Sequence, residues 1–270
     1  MGWKGTILTS SDGNSWTKRT SVTSRSLDGV TYGNGLFVTV GYWGSSGIIF
    51  TSPDGITWTE RNSGTSLYLL GVTYGNGLFV TVGSDGYSGT IFTSSNGTTW
   101  TERTSGTSDN LSNVTYGNST FMAIGNSGTI LTSSDGISWT SKTSGTTKGL
   151  WGVTYGNSTW VTNGDNGSIF TSSDGTSWDN RTSASGTTVE FNELYYGNST
   201  FVAAGDNGTI LTSSNGTSWT SRTSGTTNAL YGGTYTDSNE DGVKEFVLVG
   251  ASGKILSSKD DGASWSSVSL

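Results

Sequence analysis

The 270 residues of this sequence include no cysteine and no histidine. Without cysteine there can be no disulfides, thiolate zinc sites, iron–sulfur clusters or thiol nucleophiles. Without histidine the commonest general base and transition-metal ligand is gone, and Ser-His-Asp or Cys-His catalysis goes with it. Basic residues are scarce too: 13 Lys and Arg stand against 20 Asp and Glu, for a net charge of −7. Duplex binding calls for a concentrated basic patch, so no nucleic-acid partner is expected. No apolar run approaches the ~18 residues of a membrane span, so no membrane insertion is expected. The first thirteen residues, MGWKGTILTSSDG, lack the apolar stretch of a leader peptide. Proline occurs once, at Pro53, which excludes collagen despite 42 glycines.

What is present is a repeat. A tryptophan follows a Ser/Thr-Asp/Asn-Gly turn seven times, at Trp16, Trp58, Trp100, Trp139, Trp178, Trp219 and Trp265. The gaps are 42, 42, 39, 39, 41 and 46 residues. Each unit is rich in Val, Ile, Thr, Phe, Tyr and Trp and broken by Gly every few residues, which predicts strands and not amphipathic helices. In residues 69–103 the runs LLGVTY, LFVTV, TIFT and TTWTER read as four strands separated by GNG, a Gly-rich loop and SSNG. Such Gly-containing turns suit tight hairpins.

A period near 40 with four strands per unit predicts an all-β fold, a β-propeller of four-stranded antiparallel blades spanning 1–270 as one domain. The full repeats cover about 27–64, 69–106, 111–145, 150–184, 191–225 and 230–270, and a half repeat covers 5–21. The first expectation is therefore seven blade positions with an incomplete first blade. Six closed blades plus an extra hairpin is the alternative, and a β-solenoid is a distant third. An incomplete blade offers a route to a homo-oligomer.

The turn before each tryptophan resembles the Asp box of sialidase-like and BNR-like propellers, Ser-x-Asp-x-Gly-x-Thr/Ser-Trp. Residues 258–265 (SKDDGASW) match it in full; the other six boxes are one residue shorter, and Asn96 and Asn215 replace Asp in two of them. The Asp or Asn and the Ser/Thr hydroxyl are expected to accept turn N–H groups, and the tryptophan to pack between sheets. The sialidase resemblance would bring an arginine triad that begins at Arg-Ile-Pro, but Pro53 lies inside a box and follows Ser52. Arg19, Arg61, Arg103, Arg181 and Arg222 recur three residues after the box tryptophan, and are expected to be solvated charges on an edge strand. Photosystem assembly factors carry similar propellers, but the basic patch associated with them is not evident here.

Positions that hold the fold should recur in every unit, and positions that bind something should not. The variation gathers in the 2–3 loops and just before strand 1. It includes Tyr42, Trp43 and Tyr87, then Asp28, Leu70, Ser112, Trp151, Asn192 and Tyr231. Exposed aromatics beside Asp, Asn and Gly suit a glycan face or a protein surface. Tyr42, Trp43, Tyr87, Trp151 and Tyr231 are the candidate ligand-binding residues.

One hairpin departs from the repeat. Residues 237–245 read DSNEDGVKE, which resembles the calcium loop of integrin-α and FG-GAP propellers. Asp237, Asn239, Asp241, the Val243 carbonyl and Glu245 would wrap a structural calcium ion. An enzyme reading would rest on Glu190 and Glu193 as a carboxylate pair for glycoside hydrolysis. The favoured function is a non-enzymatic recognition or adhesion propeller, glycan-binding, from a bacterial or phage exterior protein and located outside the cell or on a virion surface. A structural or assembly module that binds itself or a neighbouring protein is the alternative.

Overall fold

The computed structural model describes residues 1–20, 22–44, 46–182, 186–237 and 244–269. Strands β1 (Leu8–Thr9) and β2 (Thr17–Lys18) form a two-stranded sheet. Blade 1 follows with β3 (Ser26–Gly33), β4 (Leu36–Trp43), β5 (Ser46–Ser52) and β6 (Thr59–Arg61). Blade 2 holds β7 (Tyr68–Gly75), β8 (Leu78–Ser84), β9 (Gly89–Ser94) and β10 (Thr101–Arg103). Blade 3 holds β11 (Leu111–Gly117), β12 (Thr120–Gly125), β13 (Ile130–Ser133) and β14 (Thr140–Lys142). Blade 4 holds β15 (Leu150–Gly156), β16 (Thr159–Gly164), β17 (Ser168–Ser172) and β18 (Asp179–Asn180). Blade 5 holds β19 (Phe191–Gly197), β20 (Thr200–Gly205), β21 (Ile210–Ser213) and β22 (Thr220–Arg222). Blade 6 holds β23 (Leu230–Asp237), β24 (Lys244–Gly250), β25 (Ile255–Ser258) and β26 (Ser266–Val268). Within each blade the strands pair in chain order, a four-stranded antiparallel meander.

The fold is thus an all-β propeller of six four-stranded blades with a small extra hairpin. The count fits the second expectation rather than seven positions, because what precedes β1 is a 3-10 turn (Trp3–Gly5) and no strand. The chain gathers into two compact units. One holds residues 1–9 and 17–143, with blades 1 to 3. The other holds residues 10–16 and 144–270, with blades 4 to 6.

Local chemistry explains the repeat. Asn34-Gly35 and Asn76-Gly77 join the first two strands of blades 1 and 2 with both residues at positive φ, the hairpin turn whose twist matches that of the strands. The turns that precede the recurrent tryptophans close through their own side chains. In blade 1 the Asp54 carboxylate accepts the N–H groups of Ile56 (2.8 Å) and Thr57 (2.7 Å), Ser52 accepts from Gly55 (2.8 Å), and the Trp58 indole donates to the Gly55 carbonyl (3.0 Å). Asn96 and Asn215 accept the same pair of N–H groups in blades 2 and 5. These bonds favour the ionised Asp and hold Asp54 down to about 2, with Asp12, Asp135 and Asp174 also lowered.

The core lies between successive blades of a unit. Val38, Val40 and Ile49 of blade 1 pack with Leu69, Val72, Phe79 and Phe92 of blade 2. Val161 and Ile169 of blade 4 pack with Phe191, Leu194, Phe201 and Leu211 of blade 5. Middle strands buried on both faces also enclose Thr and Ser, such as Thr51, Ser52, Thr81 and Thr93. That is how a chain with only 31% hydrophobic residues fills an interior. Box tryptophans join these clusters, Trp100 against blades 1 and 2 and Trp139 against blades 2 and 3, but most are half-buried, and Trp58 is buried at 6% exposure.

The arginines depart from their expected role as free edge charges. Each donates its Nε–H to a threonine hydroxyl on the neighbouring strand: Arg61 to Thr51 (2.8 Å), Arg103 to Thr93 (2.9 Å) and Arg222 to Thr212 (2.7 Å) among them. The guanidinium is therefore a cross-strand clamp on the short outer strand.

Candidate functional site

The 2–3 and 4–1 loops meet at one end of each blade. Backbone bonds join them: Asn126 donates to the Asn110 carbonyl (2.9 Å), Asp165 to Gly149 (3.0 Å), Asp206 to Glu190 (3.0 Å) and Ala251 to Ala229 (2.8 Å). In blades 3 to 6 the 2–3 loop is a tight 3-10 turn whose central residue takes positive φ, as at Ser127 and Asn166. Blades 1 and 2 differ. Their second and third strands run further, pairing Tyr42 with Gly47, Trp43 with Ser46 and Ser84 with Gly89. The aromatics that break the repeat in the first unit stand on these extended hairpins.

Their setting is firm. Tyr42 packs edge-on against Tyr68, ring centroids 4.8 Å apart. Trp43 is 58% exposed and Tyr87 is 88% exposed. The Asp85 carboxylate accepts the backbone N–H of Tyr87 (2.6 Å) and of Ser88 (2.5 Å). The Ser84 hydroxyl accepts from Gly86 (2.7 Å) and donates to the Asn110 side chain (2.5 Å). Tyr87 is thus held out to solvent by a turn pinned to blade 3.

The six variable residues before strand 1 prove to lie inside it. Every first strand shifts register at this point, as between Leu27 and Gly29, Leu69 and Gly71, or Leu150 and Gly152. Asp28, Leu70, Ser112, Trp151, Asn192 and Tyr231 are the extra residues of six β-bulges, a device that re-aims a side chain. Where the second strand supplies a threonine, its hydroxyl caps the carbonyl next to the bulge: Thr39 on Gly29 (2.8 Å), Thr81 on Gly71 (2.8 Å) and Thr162 on Gly152 (2.9 Å). Sequence alone did not reveal the bulges, because the extra residue sits in a run that still reads as one strand.

The bulged residues fall into different roles. In the second unit Trp151 is half-buried and its indole donates to Asp165 (2.7 Å), while Asn192 donates to Asp206 (3.0 Å) and to the Leu230 carbonyl (3.1 Å). Tyr231 is 58% exposed. In the first unit Asp28 is exposed at the surface, yet the protein around its carboxylate strips away part of its water and pushes it up to about 6. Tyr42, Trp43 and Tyr87 therefore belong to one unit, and Trp151 and Tyr231 to the other.

Of the proposed calcium ligands, Asn239, Asp241 and Val243 lie outside the described residues, as does the Asp237 side chain. Glu245 is fully buried, and among the described residues neither carboxylate oxygen has a hydrogen-bond partner. It faces the first box turn: a Cβ built on Gly13 would come 2.5 Å from Glu245 Oε2. Glu190 is exposed, and Glu193 is half-buried with its carboxylate accepting the Leu194 N–H (3.2 Å). Among the described residues no three His, Cys, Asp or Glu side chains gather into a metal-binding group. No described helix is long and apolar enough to cross a membrane.

The class these features define is the four-stranded-blade β-propeller, and comparison with solved structures agrees. The chain is similar to YCF48 bound to D1 peptide, with a TM-score of 0.70 and 16% identity over 97% of this chain and 86% of that one. It is similar to the WD40 propeller domain of Doa1 at a TM-score of 0.68 and 13% identity, over 100% of this chain and 86% of the other. YCF48 from Cyanidioschyzon merolae follows at 0.63 and 12%, over 99% and 88%. At such identities the likeness establishes the fold alone. No family model matches the chain, and no curated protein does.

Proposed function

We propose that this protein is a non-enzymatic recognition propeller that binds a protein or peptide segment at the loop end of its blades, through Tyr42, Trp43 and Tyr87. The observation that carries the reading is the pair of extended hairpins. Among the described residues, blades 1 and 2 alone lengthen the 2–3 connection, and both place aromatics in water there. Exposed large aromatics favour a partner that covers them. Taken by itself, the second unit offers its own candidates in Trp151, held in orientation by Asp165, and the exposed Tyr231. A structural neighbour described as bound to a peptide supports a peptide-class ligand. A glycan is the second reading, favoured by the polar groups beside the rings: Asp85, Ser84 and Asn110 flank Tyr87. The setting we propose is an extracellular or virion surface, with the seven turns serving as Asp boxes of the non-catalytic kind.

We also propose a structural calcium ion in the hairpin that joins β23 to β24, held by Asp237, Asn239, Asp241, the Val243 carbonyl and Glu245. The fully buried Glu245 carboxylate, which has no hydrogen-bond partner among the described residues, supports it, since an uncompensated buried carboxylate is costly and a cation would offset that cost.

A peptide library and a glycan array, each probed with the purified protein, test the first proposal. Tyr87→Ala and Trp43→Ala should each weaken the selected ligand about tenfold, or ~1.4 kcal/mol, with unchanged melting temperature. Normal binding by both variants would refute it. Calorimetric titration of chelator-treated protein should show one calcium site that Asp241→Ala removes; no heat, and no shift of melting temperature with calcium, would refute the second.

A further inference from the structure

The two-stranded sheet leaves open an edge that the equivalent strand of every blade uses. In blade 3, β13 pairs with β14 on one side and with β12 on the other, Leu131 opposite Ala123 and Ile130 opposite Ile124. Residues 6–13, TILTSSDG, repeat residues 129–136 without a change. Strand β1 therefore carries the same side chains as β13, yet among the described residues it pairs with β2 alone. Arg19 donates its N–H to the Ile7 carbonyl (2.9 Å). Bonding alternates along an antiparallel strand, so Leu8 directs its N–H and carbonyl to the opposite edge, which no described strand pairs.

A second observation comes from β3 in the same unit. Val30 is 47% exposed and Tyr32 58%, whereas the equivalent Val72 and Val114 are buried at 9% and 3%. Elsewhere the first-strand tyrosine of one blade covers the glycine that ends the first strand of the blade before it. A Cβ on Gly33 would collide with the Tyr74 ring, one on Gly75 with Tyr116, and one on Gly156 with Tyr196. Among the described residues Tyr32 has no such glycine to cover. The chain thus shows, several times over, what lies on this kind of edge and flank: an inner-strand hairpin.

We propose that the Leu8 edge and the Val30–Tyr32 flank form a docking site for a β-hairpin of the repeat's own inner-strand type, Leu-x-x-Val-Thr-Tyr-Gly-Asn-x-Thr-Phe, carried by a separate polypeptide. Docking would add two strands to β1 and extend the small sheet to four. Backbone bonds along Leu8 would supply affinity, and the fit of Tyr32 over the hairpin's glycine would supply specificity. This site is distinct from the aromatic loop end and does not depend on it.

The test titrates a synthetic peptide of residues 111–125 (LSNVTYGNSTFMAIG) into the full chain, reading amide hydrogen exchange by NMR together with binding stoichiometry. The expected result is saturable one-to-one binding that slows exchange at the Leu8 amide about tenfold or more. A peptide with Gly117→Ala should bind about tenfold more weakly, because its methyl group would meet Tyr32, and the protein itself is unaltered in that experiment. Tyr32→Ala protein should lose the discrimination between the two peptides. Unchanged Leu8 exchange at ~1 mM peptide, or equal binding of a scrambled peptide, would overturn the proposal. So would a dimer that already protects Leu8 before peptide is added, since a second copy would then be the occupant.

Discussion

Trp160→Ala removes the bulkiest of the fully buried side chains. Trp160 lies on β16, is 1% exposed, and packs against Tyr155 with ring centroids 4.8 Å apart. A buried tryptophan removes on the order of 200 Å² from water. At ~25 cal/mol per Å² that is about 5 kcal/mol, less a part retained by the alanine. Large-to-small aromatic deletions in cores cost about 3–5 kcal/mol, so the two routes agree. Trp139 should cost less, about 2 kcal/mol, because it is only half-buried although its ring packs on the cluster between blades 2 and 3. Trp43, 58% exposed on a hairpin tip, should stay within about 0.5 kcal/mol of the parent protein. Urea unfolding followed by far-ultraviolet circular dichroism measures all three on one scale. A loss below about 1 kcal/mol for Trp160→Ala, or equal losses for Trp160→Ala and Trp43→Ala, would refute the assignment of which tryptophans form the interior.

Ser119, Ser158 and Ser199 occupy the second turn position with φ of 57°, 57° and 62°, where blades 1 and 2 have glycine; Ser→Gly at each should stabilise by about 0.5–1 kcal/mol, additively in thermal melts. Gly75→Ala should destabilise by about 1–3 kcal/mol in the same melts, because the new methyl group meets the root of the Tyr116 ring. Asp28 is raised from 3.8 to about 6, so between those values the folded state holds more protons than the unfolded one, and stability falls as pH rises through the window. Asp28→Asn should abolish that fall and gain about 1 kcal/mol at pH 7, the full shift being discounted because the side chain is exposed. The lowered box carboxylates act in the opposite sense: their contribution is complete above 3.8 and is lost as pH falls toward about 2. Asp54→Asn should flatten that acid limb in a pH titration of melting temperature while leaving neutral-pH structure intact, since Asn96 and Asn215 already make the same bonds.

The repeat was legible because its causes are local. A box turn is closed by one Asp or Asn, one Ser and one Gly within a few residues, and the period of those turns predicts four short strands per unit. The bulges at Asp28, Leu70 and Trp151 were not legible, because an extra residue in a strand changes pairing without changing composition. Nor could sequence show that Arg61 and its equivalents reach back to a threonine ten residues earlier, a contact made only once both strands are aligned.

By itself, then, the sequence determined the unit: its strands, its turns, its seven boxes, and the exclusion of cysteine and histidine chemistry. Only the tertiary structure decided how the units are used. It resolved the count as six four-stranded blades and one two-stranded sheet, because strand pairing depends on which segments meet and not on the motif that ends them. It separated Trp160, fully buried on β16, from Tyr87, held in solvent, although both interrupt the same pattern. And it left Val30 and Tyr32 uncovered while burying Val72 and Val114, a difference that arises from neighbours along the stack and is written in no single repeat.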